Sequence, residues 1–210
     1  MYSLGEIEAQ CKKASRGAGL SWGMADEAAI SARLLTEAGL PGAQATLFNI
    51  RALSSNNMTL LEFKVLQSKI GSKPYSGLLL GVSFLDSLGL LPDMIKFKTC
   101  SLIGPLAFVG ILLQLRDDFF SFRVIWDGCQ ISMDHTGLKI KGNNLNPEKT
   151  SEVFLQFSRT QKKALMELKM IPKISEKCWT ELSTWAQLTH VAESQKSRLY
   201  GAGGGTSDSD

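Results

Sequence analysis

Between Phe120 and Phe157 the hydrophobic period of this chain falls to two, and that change restricts its fold more than any other feature. Phe120, Phe122, Val124 and Trp126 alternate with Ser121, Arg123 and Ile125. Asp127-Gly128 then supplies a hairpin turn, and Cys129, Ile131 and Met133 resume the alternation. Leu138 and Ile140 follow Gly137 as a third strand, and Val153, Leu155 and Phe157 follow the polar stretch GNNLNPEKT as a fourth. The pattern predicts an antiparallel β meander of about four strands over residues 119–158, acting as scaffold. Phe122, Val124, Trp126, Ile131 and Leu155 should be buried, and His135, in the Asp134–Gly137 turn, exposed.

On either side of the meander the period is helical. Ser3 and Glu6 form a capping-box pattern ahead of Leu4, Ile7, Cys11 and Ala14, which predicts a helix ending near Ser15. Ser21 is a suitable N-cap for a second helix, WGMADEAAISARLLTEA, stopped by Gly39 and Pro41. Its inner face, Met24, Ala28, Ala32 and Leu35, is mostly small, so a neighbour should pack close. Further helices are expected at Gly42–Leu53, Thr59–Ile70, Tyr75–Leu88 and Pro105–Leu115, and one at about 175–191 carries Ile174, Cys178, Leu182, Trp185 and Leu188 near one face. A run of helices followed by a run of strands indicates an α+β fold. The expected organisation is a single domain over 1–191, with a helical part at about 3–117, the meander, a C-terminal helix and a docked Gly-rich tail at 192–210.

Composition narrows the function. The 23 basic and 20 acidic residues leave a net charge of +3 and are scattered without Lys/Arg runs, so no nucleic-acid partner is expected. The first residues, MYSLGEIEAQCKK, lack a basic region followed by an apolar one, which points to the cytoplasm. The longest apolar run, Leu102–Leu113, is well short of the ~20 residues that span a bilayer and contains Pro105, so it reads as a core helix and no membrane contact is expected. Cys11, Cys100, Cys129 and Cys178 lie far apart with no C-x-x-C pair, and His135 and His190 are isolated. No metal and no cofactor are predicted.

Two stretches stand out, SRGAGLSWG near the start and SRLYGAGGGTSD near the end. GLSWG matches G-x-S-x-G, but a polar helical segment precedes it where a hydrolase elbow has a strand, so Ser21 reads as an N-cap. GAGGG lacks the strand and helix of a dinucleotide site, and no P-loop occurs. Physically, Gly17 and Gly19 permit positive φ and close approach, and the turn opens a helix whose free N–H groups attract an anion. Arg16 adds a fork for a carboxylate or phosphate, Trp22 a wall, and Glu27 an acid/base group or an ammonium clamp. Alternatively, the glycines only let two helices pack at a sharp angle. In the tail, Arg198, Leu199 and Tyr200 interrupt a polar run, and the segment from Ala192 can extend ~60 Å at ~3.3 Å per residue, enough to cross a domain.

SLGEIEAQCKKASRGAGLSWGMADEAA and THVAESQKSRLYGAGGGTSDSD, with VIWDG between them, resemble a bacterial family of unknown function, domain of unknown function 3726. The resemblance falls on Arg16, Gly17, Ala18, Gly19, Trp22, Gly23, Glu27 and Ala28, with Asp26 replacing a glutamate. At the other end it falls on Ser197, Arg198, Gly201, Ala202, Gly203, Gly205, Asp208 and Asp210, with Gly204 replacing an alanine. It implies no chemistry, but it does imply that the tail is part of the protein's design.

Two functions are open at this point. In one, Arg16, Gly17, Gly19, Ser21 and Trp22 join Arg198, Gly201 and Gly203 in a site for a small anionic metabolite. Glu27 or Asp208 would then move a proton in a metal-free reaction of small-molecule catabolism. In the other, the chain is a non-catalytic subunit, either of a homo-oligomer or of a partner enzyme. Convergence of the two Gly-Ala-Gly stretches on one place in the fold would favour the first.

Overall fold

The computed structural model describes residues 2–55, 74–99, 101–118, 120–163 and 169–189. Within them the fold is α+β: six α-helices and a five-stranded antiparallel sheet. The helices are α1 (Leu4–Gly17), α2 (Trp22–Glu37), α3 (Gly42–Ser55), α4 (Gly77–Asp86), α5 (Pro105–Leu112) and α6 (Glu176–Gln187). The strands are β1 (Tyr75–Ser76), β2 (Met94–Thr99), β3 (Leu102–Ile103), β4 (Phe120–Trp126), β5 (Cys129–Asp134), β6 (Gly137–Gly142) and β7 (Val153–Arg159). The helix expected at Thr59–Ile70 lies outside the described residues, as do His190 and the tail.

Capping fixes the helix starts. Ser3 and Glu6 close the reciprocal box on α1, and Ser21, Ser76 and Ser175 each accept the N–H of the third residue into α2, α4 and α6. Pro105 opens α5 at a position where no N–H is needed. The helix expected from Tyr75 begins two residues later, because Tyr75 and Ser76 pair in parallel with β3. The last helix stops at Gln187 rather than near 191, and Leu188 is 65% exposed rather than on the inner face.

The sheet order is β2-β7-β4-β5-β6. Only β4, β5 and β6 form a meander, so the expected run of four is corrected: β7 returns beside β4, between it and β2. The connection after β6 is held back across the first hairpin, where Trp126 Nε1 donates to the Asn144 carbonyl (2.7 Å) and Asn144 Nδ2 to that of Asp127 (2.9 Å). Beyond that point Gly104 N donates to Glu148 O (2.8 Å) and Thr150 N to Leu102 O (2.8 Å), which deliver the chain to β4. Outward Lys139 and Lys141 keep β6 as a charged edge. Strand β2 lies inside the span expected to be helical; its Ile95, Phe97 and Thr99 do alternate with Lys96 and Lys98, but over too few residues to stand out.

The five residues expected in the sheet's core are buried and His135 is exposed. Phe84 of α4 joins the layers, meeting Phe157 edge-on at 5.0 Å and Phe108 of α5 at 6.3 Å. The small face of α2 does receive a close neighbour. A Cβ on Gly110 of α5 would stand 2.1 Å from Ser31 Oγ, and Ser31 donates to the Ala107 carbonyl at 3.1 Å. A second cluster, including Ile7, Cys11, Leu47, Ile50, Cys178 and Leu182, joins α1, α3 and α6. The stack thus runs from the sheet through α4 and α5 to α2, then α1 and α6, leaving the sheet's outer face at one end and the α1–α2 corner towards the other.

Candidate functional site

The Gly-Ala-Gly turn serves two backbone purposes. Gly19, at φ +96°, ends α1 in a Schellman motif: its N–H reaches Arg16 O (2.9 Å) and the Leu20 N–H reaches Ser15 O (3.1 Å). Those N–H groups are therefore used inside the turn. Gly17 serves a packing need, since a Cβ there would lie 1.8 Å from the carbonyl oxygen of Trp185 and 3.3 Å from Leu188 Cβ. The last turn of α6 rests directly on the backbone of α1. Leu188, just past the end of α6, thus lies beside this turn.

Around it, Arg16 donates from Nη1 to the Leu20 carbonyl while its guanidinium carbon sits 4.5 Å from the centre of the Trp22 ring. One of the five guanidinium N–H groups is thereby used, and the cation is held over an indole. Lys12, one turn earlier, forms an ion pair with Asp26 and places its ammonium 6.0 Å from the same ring. Ser21 caps Met24 N at 3.3 Å, leaving the N–H groups of Trp22 and Gly23 without a side-chain cap among the described residues. Trp22 is 65% exposed. Glu27, partly buried one turn into α2, accepts from Gln114 Nε2 at 2.6 Å.

The structure thus gathers Arg16, Gly17, Gly19, Ser21 and Trp22 at one corner, with Glu27 on the same helix. Arg198, Gly201, Gly203 and Asp208 lie outside the described residues. Lys12, its ion pair with Asp26 and the exposure of Leu188 are additions that sequence reasoning missed. The spacing of Lys12 and Arg16, and of Trp22 and Asp26, by one helical turn was the available signal.

Among the described residues the thiols offer no competing site. Burial pushes Cys11 up to about 12 and Cys129 and Cys178 to about 11, so none is a thiolate near neutral pH.

Residues 2–68 match a protein family of unknown function (DUF3726). That stretch carries α1, α2 and α3 and so includes the Arg-Gly-Ala-Gly turn and Trp22. No curated protein and no solved structure matches the chain. No helix among the described residues is long and apolar enough to cross a membrane.

Proposed function

We propose that the α1–α2 corner binds a small anionic metabolite and that the C-terminal segment completes this site. The observation that carries the reading is the seat of the end of α6 on Gly17, next to Arg16; the segment with Arg198, Gly201, Gly203 and Asp208 follows α6 in the sequence. Arg16 supports it further: held over Trp22 and tethered to Leu20 O, the guanidinium is pre-ordered, with most of its N–H groups unspent among the described residues. The uncapped N–H groups of Trp22 and Gly23 add the positive end of α2. Glu27 is the proton-moving group of this reading, in a reaction of small-molecule metabolism that needs no metal.

The test is a thermal-shift and calorimetric screen of phosphate and of mono- and dicarboxylates against the full chain, Arg16→Ala and a chain ending at Thr189. Binding by the full chain that weakens at least ~10-fold in both variants, with folding retained, supports the reading. Undiminished binding in a folded Arg16→Ala protein overturns it. A second reading, a non-catalytic subunit of another enzyme or of a homo-oligomer, is favoured by Trp22 and Leu188, two large apolar side chains each 65% exposed on either side of the turn. Loss of assembly, rather than of small-anion binding, in Trp22→Ser would select it.

A further inference from the structure

Cations scattered along the sequence meet on the outer face of the sheet. Registers place Lys96 of β2 opposite Gln156 of β7, Gln156 opposite Arg123 of β4, Arg123 opposite Ser132 of β5, and Ser132 opposite Lys139 of β6. All five alternate with buried or partly buried residues and point away from the core, so they form one row across five strands. At ~4.8 Å between strands, its three cations stand about 10 Å apart over about 19 Å. The next row is Lys98, Phe154, Ile125, Gln130 and Lys141 by the same registers. Lys96, Lys98, Arg123, Lys139 and Lys141 are all exposed, and among the described residues of these strands and their flanks the acids paired with them are Asp134, 3.6 Å from Lys139, and Glu152, 2.6 Å from Lys98. Among the described residues, these five cations against two carboxylates leave this surface with an excess of three positive charges. Around Arg123, which forms no ion pair among the described residues, a cavity of about 110 Å³ is lined by Ser121, Ser132, Asp134, Gln156 and Ser158.

We propose that this face binds single-stranded nucleic acid. Charge complementarity calls for a polyanion, and three further features specify which. The two rows measure about 19 Å by about 7 Å, a few nucleotides' worth of strand but far below the ~800 Å² that a stable protein partner covers on each side. The cations are separated by Ser and Gln side chains, which can donate to and accept from base edges. Phe154 beside Ile125 gives a partly exposed apolar centre on which a base can stack, with Lys98 and Lys141 at the ends of the row for phosphates. The absence of Lys/Arg runs in the sequence does not oppose this, because the strand registers assemble the row from three separate segments.

The test measures fluorescence anisotropy of labelled ten-nucleotide oligo-dT and oligo-U with the full chain from 25 to 200 mM salt. The proposal expects binding that weakens with salt and falls at least ~10-fold in the triple variant Lys96→Glu, Arg123→Glu, Lys139→Glu. Removing these three phosphate-neutralising cations should shrink the slope of log K against log salt by about 2. A charge-matched triple variant off the sheet, Lys13→Glu, Lys173→Glu, Lys177→Glu, should bind more than the sheet variant at every salt concentration. Phe154→Leu should weaken binding several-fold while leaving the salt slope unchanged. No binding at 25 mM salt, or equal loss in the two triple variants, overturns the proposal. So does poly-glutamate competing as well as the oligonucleotide together with a neutral Phe154→Leu, which would assign the face to an acidic protein.

Discussion

Replacing Asn49 should cost this protein a large share of its stability, because one buried amide organises the starts of two helices. Asn49 lies on α3 with no exposed surface. Its Nδ2 donates to Ala45 O (2.9 Å) and Gly104 O (3.2 Å), while Oδ1 accepts from Ser76 Oγ (2.7 Å) and Leu78 N (3.1 Å). Ser76 caps α4 and Gly104, at φ +56°, caps α5; a Cβ on Gly104 would lie 2.1 Å from Asn49 Nδ2. Asn49→Ala strands the Leu78 N–H and the Ser76 hydroxyl in a dry interior, at ~1–3 kcal/mol for each group left unpaired, while the Gly104 carbonyl keeps the Ala107 N–H (3.0 Å). The hydroxyl can turn to another acceptor, so the net loss is about 2–4 kcal/mol, against a typical total of ~5–15. In urea, with a slope of ~2–3 kcal/mol per molar, the midpoint should fall by roughly 1–2 M. Asn49→Asp keeps the two acceptor contacts but turns a carboxylate towards two carbonyls, so its folded pKa must rise above the unfolded ~3.9. A group raised on folding stabilises while protonated and loses that contribution as pH climbs, so Asn49→Asp should be closer to wild type at pH 4 than at pH 7. A midpoint shift below ~0.4 M for Asn49→Ala would refute the reasoning, as would a flat pH dependence for the aspartate.

Two further predictions concern the helical end. Gly17→Ala gains ~1 kcal/mol of helix propensity, yet its Cβ meets a backbone carbonyl at 1.8 Å, so α6 must move and the net effect should be a loss of about 1–3 kcal/mol. Gly23→Ala, with open space at its Cβ, should instead stabilise by ~0.5–1 kcal/mol, and thermal melts of the two variants check the contrast. The fork of Arg51 on Glu181, which ties α3 to α6, holds the Glu181 carboxyl below the usual glutamate range. Its stabilisation is present above the unfolded pKa and lost as pH falls through the folded one. Being about one-third exposed, the pair contributes at most ~1 kcal/mol. The stability gap between wild type and Arg51→Met in urea should therefore close between pH 5 and pH 3.

What the sequence determined by itself is whatever short-range physics decides. Ser3 with Glu6, and Ser21 ahead of an alanine-rich stretch, set helix starts through contacts within four residues. Asp127-Gly128 sets a hairpin, and strict alternation from Phe120 to Trp126 selects the buried face. The corner residues Arg16, Gly17, Gly19 and Trp22 were legible for the same reason, being neighbours along one turn. What only the tertiary structure decided depends on partners far apart in the chain. The place of β7 beside β4 follows from a long connection pinned by Trp126 and Leu102, which no local period encodes. Gly17 looks like a turn residue in sequence but is required by a carbonyl some 170 positions away. The row of Lys96, Arg123 and Lys139 exists only through strand register, because side chains distant along the chain become neighbours only once backbone hydrogen bonds have fixed which strand lies beside which.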